Sequence, residues 1–129
     1  MELQDVNNMN HKIRTLIAED YPLFRTILRQ SLAEDPMLEL VGEAQDGQEA
    51  VEKAHSLRPD VVLMDVSLPL LGGLDATRLI RQATPDTKII LLLEDDNREY
   101  QAAALASGAH ACLAKVDIAR SLLSLVRSL

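Results

Sequence analysis

The sequence has few aromatic residues, a single cysteine and no long apolar run, and each scarcity bears on the class of protein. Two tyrosines, one phenylalanine and no tryptophan occur in 129 residues, which argues against the base-stacking platform of a single-stranded nucleic-acid binder. Cys112 is the only cysteine, so no intrachain disulfide is possible, and the count fits a reducing cytoplasm. The longest apolar runs, such as residues 89–93, are strand-sized, and they predict neither a membrane-spanning helix nor a secretory signal.

Basic residues are also in the minority. The chain has 13 lysines and arginines against 20 aspartates and glutamates, a formal net charge of -7. Because duplex binding needs a basic face, we do not expect this chain to contact DNA itself. The length suits one domain with one core, and we divide the chain into a flexible polar leader, residues 1–11, and one folded domain, residues 12–129.

The chain does contain a regular alternation of strand and helix patterns. Strand-like apolar runs occur at residues 13–18, 38–44, 61–64, 88–93 and 109–114, and a helical pattern follows each of them. Four residues mark expected helix ends, namely Pro22, Asp46, Gly108 and Asp117. Five strand-then-helix repeats predict an α/β fold, with a parallel sheet and helices on both faces.

Charged residues stand where the predicted strands end. Glu19 and Asp20 follow the first strand, Asp65 ends the third, and Lys115 follows the fifth. In an open parallel sheet these ends form the edge where ligands bind. Clustered carboxylates resist simultaneous ionisation, and Mg²⁺ removes that conflict. An aspartate in such a site can form an aspartyl phosphate, so the four residues together predict phosphoryl transfer, although each alone is commonly a cap or a solvated side chain.

Five segments of the chain match one family in order and spacing. They are IAEDYPLFR (residues 17–25), VGEAQDGQEAVE (41–52), LRPDVVLMDVSLP (57–69), GGLDATRLIR (72–81) and SGAHACLAK (107–115). Through them the chain resembles the receiver domains of two-component response regulators, within the NarL/FixJ/LuxR-like subgroup. The resemblance runs from about residue 13 to the C-terminus. It implies a flavodoxin-like (βα)5 doubly wound sheet with the strand order 2-1-3-4-5.

The resemblance also implies a role for each residue at the sheet edge. Asp65 would be the phosphoacceptor and Lys115 would pair with the phosphoryl group. Asp20 would be a direct Mg²⁺ ligand, Glu19 would act beside it through water, and Ser67 would offer its backbone carbonyl to the metal. The partner would be a histidine kinase or a phosphotransfer protein, and the chain would be a phosphoacceptor rather than an independent enzyme.

Two positions depart from the family's pattern, and both concern how phosphorylation is read out. The family usually has Thr or Ser at the end of strand four and Tyr or Phe within strand five, where this chain has Leu93 and Cys112. Leu93 cannot make the usual hydrogen bond to the phosphate, which is worth roughly 1.5–3 kcal/mol. We therefore expect an atypical receiver with intact acceptor chemistry and altered readout. Ser67 and Asp95 stand where the family tunes the phosphate lifetime, and a plain loop role fits them equally well.

Other functions stay open at this point. The chain could be a pseudo-receiver, a binding module that works without phosphorylation. A flavodoxin-like small-molecule binder is disfavoured because no Gly- or hydroxyl-rich phosphate loop follows strand one. NarL-like receivers usually precede a helix-turn-helix domain, so transcription regulation would involve DNA only through an output domain that these 129 residues lack. The apolar stripe of the last helix suits the core, and part of it suits a homodimer face.

Overall fold

Five strands and five helices alternate within the part of the chain that the computed structural model describes, residues 11–95 and 97–129. Nearly all of the predicted leader, residues 1–10, lies outside the described residues. The elements are β1 (Ile13–Ala18), α1 (Pro22–Ala33), β2 (Leu38–Ala44), α2 (Gly47–Leu57), β3 (Val61–Asp65), α3 (Gly73–Ala83), β4 (Lys88–Leu93), α4 (Arg98–Ala106), β5 (Ala111–Ala114) and α5 (Ile118–Ser128). One turn of 3-10 helix, Lys115–Asp117, joins β5 to α5.

The strands form one parallel sheet in the order β2-β1-β3-β4-β5. This order confirms the flavodoxin-like topology that the resemblance implied. The strand register aligns the carboxyl ends, since three pairs lie side by side there: Ala18 with Met64, Asp65 with Leu92, and Leu93 with Ala114. Residues that directly follow different strands therefore meet at one edge of the sheet.

Each face of the sheet carries its own apolar layer. Along β4, Leu91 and Leu93 pack on the face that holds α2, α3 and α4, while Ile90 and Leu92 pack on the face that holds α1 and α5. All five residues of β3 are buried. Double burial of this kind explains why the central strands are continuously apolar in sequence rather than alternating. No helix within residues 11–95 and 97–129 is long and apolar enough to cross a bilayer.

Most of the predicted helix ends are confirmed. Pro22 begins α1, the Asp46 side chain accepts the Glu49 amide at 2.7 Å, and Gly108 follows α4 with a φ of 104°. Asp117 holds the predicted N-cap position of α5, yet its side chain makes no capping hydrogen bond. The 3-10 turn before α5 changes the backbone there, and the Asp117 carboxylate instead lies 3.2 Å from Arg120.

The last strand is shorter than its apolar pattern predicts. It begins at Ala111 instead of residue 109, since the Ala109 amide still donates to the Ala104 carbonyl of α4 at 3.3 Å and the His110 side chain takes part in the pairing. The ring nitrogen Nδ1 of His110 accepts the Ile89 amide at 3.1 Å, while the His110 amide donates to the Ile89 carbonyl at 2.8 Å. A side chain thus replaces a backbone carbonyl at the start of this edge strand.

Two glycines fix the loop that follows β3 because no side chain fits at either place. A Cβ on Gly73 would overlap the carbonyl oxygen of Asp65, and one on Gly47 would overlap the carbonyl oxygen of Leu71. The Gly47 amide also donates to the Pro69 carbonyl at 3.2 Å. The loop is therefore held in close backbone contact with the first turns of α2 and α3.

Candidate functional site

Three carboxylates and one lysine converge at the carboxyl edge of the sheet. Carboxylate oxygens of Glu19, Asp20 and Asp65 all lie within 4.8 Å of one another. The Lys115 ammonium nitrogen lies 2.8 Å from Glu19 Oε1 and 3.5 Å from Asp65 Oδ1. The structure thus brings together the four residues that end or directly follow β1, β3 and β5 in the sequence.

The four residues differ in their access to solvent. Glu19 and Asp65 are buried at the bottom of a cleft of about 400 Å³, whereas Asp20 is exposed at its side. The backbone around the acidic pair is held by Arg25, whose guanidinium donates to the carbonyl oxygens of Glu19 at 3.0 Å and Asp20 at 3.3 Å. The Tyr21 amide donates to Glu19 Oε2 at 3.2 Å. The Asp20 carboxylate is therefore open to incoming groups, whereas the Glu19 and Asp65 carboxylates are held in buried positions.

The electrostatics of the cluster show a shortage of positive charge. Burial raises the pKa of Glu19 to about 7, the charge of Asp65 adds to the rise, and Lys115 and the Tyr21 amide offset only part of it. Burial by itself would lower the pKa of Lys115, but Glu19, Asp65 and Glu94 outweigh it, so the lysine pKa is raised. The ammonium therefore stays charged, and it does not neutralise the carboxylates completely.

One buried oxygen at the site lacks a hydrogen-bond partner among the described residues. Glu19 Oε1 touches the Lys115 ammonium as a close ion pair rather than as an aligned hydrogen bond. One carboxylate oxygen from each of Glu19, Asp20 and Asp65 lies within 4.8 Å of the other two. A hard divalent cation satisfies such oxygens, and Mg²⁺ accepts one or two carboxylates together with waters and phosphate oxygens. The donor set therefore fits a magnesium ion.

Ser67 and Asp95 both line a smaller cavity next to the cleft. The Ser67 amide donates to Asp65 Oδ1 at 3.3 Å, which places it against the carboxylate. The exposed Asp95 carboxylate accepts the Asn97 amide at 2.9 Å, just before α4. Both residues line the cavity of about 240 Å³. Their effect on a phosphate lifetime stays a prediction.

Leu93 and Cys112, the two positions predicted to be atypical, lie in the apolar layer on one face of the sheet. Leu93 is 2% exposed and also lines the smaller cavity, so the end of β4 presents an aliphatic side chain to that cavity. Cys112 is half-buried against the same layer. Neither side chain is an aromatic ring or a hydroxyl, and an altered readout stays a prediction.

Two further residues contact Lys115 without having been assigned a role from the sequence. Glu94 Oε1 lies 3.1 Å from the ammonium nitrogen, and the Phe24 ring centroid lies 4.6 Å from it, within cation–π distance. Glu94 directly follows β4, so its place at the sheet edge is visible in the sequence although its contact is not. Phe24 belongs to an apolar helical stripe, which predicts a core position and gives no sign of a contact with a lysine.

This sheet, with an acidic pair, an aspartate and a lysine at its carboxyl edge, is shared with a known family. Residues 15–127 match the model of the response regulator receiver domain. The chain therefore belongs to the response regulator receiver family.

Individual relatives support the same assignment. The transcriptional regulatory protein DegU of Brevibacillus brevis is 37% identical over 117 residues, covering 91% of this chain and 50% of that protein. The response regulator domain of Thermotoga maritima CheB has a TM-score of 0.84 at 32% identity, with 92% of this chain and 96% of that one covered. The receiver domain of the putative response regulator NarL from Mycobacterium tuberculosis has a TM-score of 0.82 at 28% identity, with 92% and 99% covered.

These likenesses confirm the resemblance to NarL-type receivers. The chain spans half the length of DegU.

Proposed function

We propose that Asp65 accepts a phosphoryl group from a cytoplasmic histidine kinase or phosphotransfer partner in a Mg²⁺-dependent reaction. One observation carries this proposal: the buried Asp65 carboxylate lies 3.5 Å from the ammonium of Lys115, inside a carboxylate cluster whose oxygens fit a magnesium ion. The chain would act as a phosphoacceptor that assists its own modification and not as an independent enzyme. Pairing of two copies and DNA contact through a separate output domain stay predictions.

The chemistry assigned to Asp65 is an in-line transfer. A carboxylate oxygen of Asp65 forms a bond to phosphorus while the bond from phosphorus to the donor nitrogen or oxygen breaks, and the donor leaves with that electron pair. Lys115 would neutralise charge on the phosphoryl oxygens, which its position beside the carboxylate supports. The Ser67 amide, 3.3 Å from Oδ1, would keep the carboxylate oriented.

The magnesium ion would be held by the acidic pair and by the acceptor itself. We assign direct contacts to Asp20, Asp65 and the backbone carbonyl of Ser67, and a contact through water to Glu19. When bound, the ion supplies positive charge to the transferring phosphoryl oxygens. The feature that favours this assignment is the buried Glu19 Oε1, which has an ion-pair contact with Lys115 but no aligned hydrogen bond among the described residues.

A pseudo-receiver is the second candidate function. Its support is the apolar end of β4, where Leu93 offers no hydroxyl to a phosphoryl group. In that case the same surface would bind a partner without any change at Asp65.

The two candidates differ in whether the protein gains mass with acetyl phosphate and Mg²⁺. We expect the mass gain of one phosphoryl group in the unaltered chain, none in Asp65→Asn, and an unchanged gain in Asp86→Asn. Asp86 is exposed in the turn before β4, at the opposite edge of the sheet, so it is a matched control. A gain that survives Asp65→Asn would rule out Asp65 as the acceptor. No gain, together with no binding of beryllofluoride, would favour the pseudo-receiver.

A further inference from the structure

The Lys115 ammonium is shared among three carboxylates. It lies 2.8 Å from Glu19, 3.1 Å from Glu94 and 3.5 Å from Asp65, and the Phe24 ring is also nearby. A lysine has three N–H donors and no acceptor. Every donor therefore already has an anionic neighbour, and the contact with Asp65 is the longest of the three.

A phosphoryl group on Asp65 would need this same ammonium. Its oxygens carry negative charge that has to be balanced at the site. Glu19 cannot leave Lys115 easily, because its side chain is 0% exposed. Glu94 can leave, because its side chain is 68% exposed and its carboxylate would be hydrated as soon as it turned outward. Of the two glutamates, Glu94 is the one that an incoming phosphoryl group can displace.

We propose that Glu94 is a built-in competitor for Lys115, which the phosphoryl group must displace when Asp65 is modified. This inference rests on the proposed function of Asp65. The competing carboxylate lowers the affinity of the site for a phosphoryl group and slows its loading by anionic donors. Glu94 is thus a residue that sets the responsiveness of the site, although it forms no bond in the transfer.

Displacement of Glu94 from Lys115 would also couple modification of Asp65 to the residues that follow β4. Glu94 directly follows Leu93, and Asn97, three positions further along the sequence, caps α4 with its side chain. Release of Glu94 from Lys115 breaks a contact between this segment and the site. No hydroxyl at position 93 is required for that change.

The test compares Glu94→Gln with the unaltered chain, using beryllofluoride with Mg²⁺ as the equilibrium probe and acetyl phosphate with Mg²⁺ as the kinetic one. We expect beryllofluoride to bind about tenfold more tightly and the initial loading rate to rise about tenfold at low salt, because the carboxylate in contact with Lys115 is removed. Both ratios should shrink as the salt concentration is raised, since Glu94 is exposed enough to be screened.

Two matched variants separate competition at Lys115 from a general charge effect. Glu39→Gln makes the same change of net charge near the amino end of β2, far from the carboxyl edge of the sheet, and should leave both readouts unchanged. Glu94→Asp keeps the charge but shortens the side chain, so it should show most of the Glu94→Gln gain if contact with Lys115 is what matters.

The outcomes also distinguish this inference from the proposed function. If the unaltered chain loads at Asp65 and Glu94→Gln neither binds nor loads better, the competitor role is overturned while Asp65 remains the acceptor. A Glu94→Asp variant identical to the unaltered chain would overturn it as well. If neither the unaltered chain nor Glu94→Gln binds or loads, the proposed function fails and this inference falls with it. Loading by Glu94→Gln alone would support both.

Discussion

Replacing Leu93 by threonine should place a hydroxyl at the end of β4 and so measure what such a hydroxyl contributes there. Leu93 is 2% exposed, and truncating a buried leucine removes packing contacts. We expect Leu93→Thr and Leu93→Val to lose about 1–3 kcal/mol of unfolding free energy each. Threonine should lose somewhat more than valine in the unmodified protein, because its hydroxyl is buried without the phosphoryl group it would bond.

The ranking of the two variants should reverse when the site is filled. A hydrogen bond to a charged phosphoryl mimic is worth about 1.5–3 kcal/mol, so beryllofluoride should bind Leu93→Thr about 10- to 150-fold more tightly than Leu93→Val. Valine has nearly the shape of threonine and no hydroxyl, which isolates the bond from the change in packing. Complete reversal of a two-state switch takes about 5.5 kcal/mol, so this single bond would supply a large share.

The assay is urea unfolding of both variants with and without beryllofluoride and Mg²⁺, supported by direct titration of the ligand. Stabilisation by the ligand follows its affinity when only the folded state binds it. Equal beryllofluoride affinities for Leu93→Thr and Leu93→Val would refute the reasoning, because they would show that a hydroxyl at this place does not reach the phosphoryl group.

Three other predictions concern stability and can be checked by chemical denaturation. Gly73→Ala should lower the unfolding free energy by about 1–3 kcal/mol because its Cβ overlaps backbone, whereas Gly72→Ala, whose Cβ would meet only the Val66 carbonyl oxygen at an ordinary 4.0 Å, should cost much less. Without divalent cations, Glu19 favours folding in its protonated form, since its folded pKa of about 7 lies above the ordinary 4.5. That contribution to the unfolding free energy, on the order of 1–3 kcal/mol, is complete below about pH 4.5 and is lost as the pH rises through 7. In Glu19→Gln the unfolding free energy should therefore fall less steeply with pH over this range. Arg127→Gln should destabilise the chain by removing the 2.6 Å ion pair with Asp35, and the loss should be non-additive with Asp35→Asn; additive losses would show that the pair is not coupled.

The fold could be predicted from the sequence because its strongest signals are physical consequences of burial. β3 and β4 are continuously apolar since helices cover both of their faces, and Gly108 follows α4 because its positive φ suits glycine. The start of β5 was harder to predict. There the His110 ring supplies a hydrogen-bond acceptor to Ile89, and apolar periodicity carries no information about such a contact.

The candidate site was likewise predictable only in part. Glu19, Asp20, Asp65 and Lys115 could be placed together because the sheet topology fixes where strand ends meet. The lengths, register and parallel order of the strands fix the positions of residues that end or directly follow a strand. The contact of Glu94 could not be predicted, since the direction of an exposed side chain depends on which charges the folded chain brings near it.

The backbone contact of Gly47 with the loop after β3 has a mechanical consequence for the site. On that side, close contact with Leu71 and Pro69 leaves the loop no room to yield. On the other side, the cavity of about 240 Å³ lined by Leu93 and the half-exposed Tyr100 offers free space. A densely packed wall transmits displacement while a void absorbs it. A group added to Asp65 should therefore displace its surroundings toward β4 and α4, because α2 holds the loop after β3 in place on the other side.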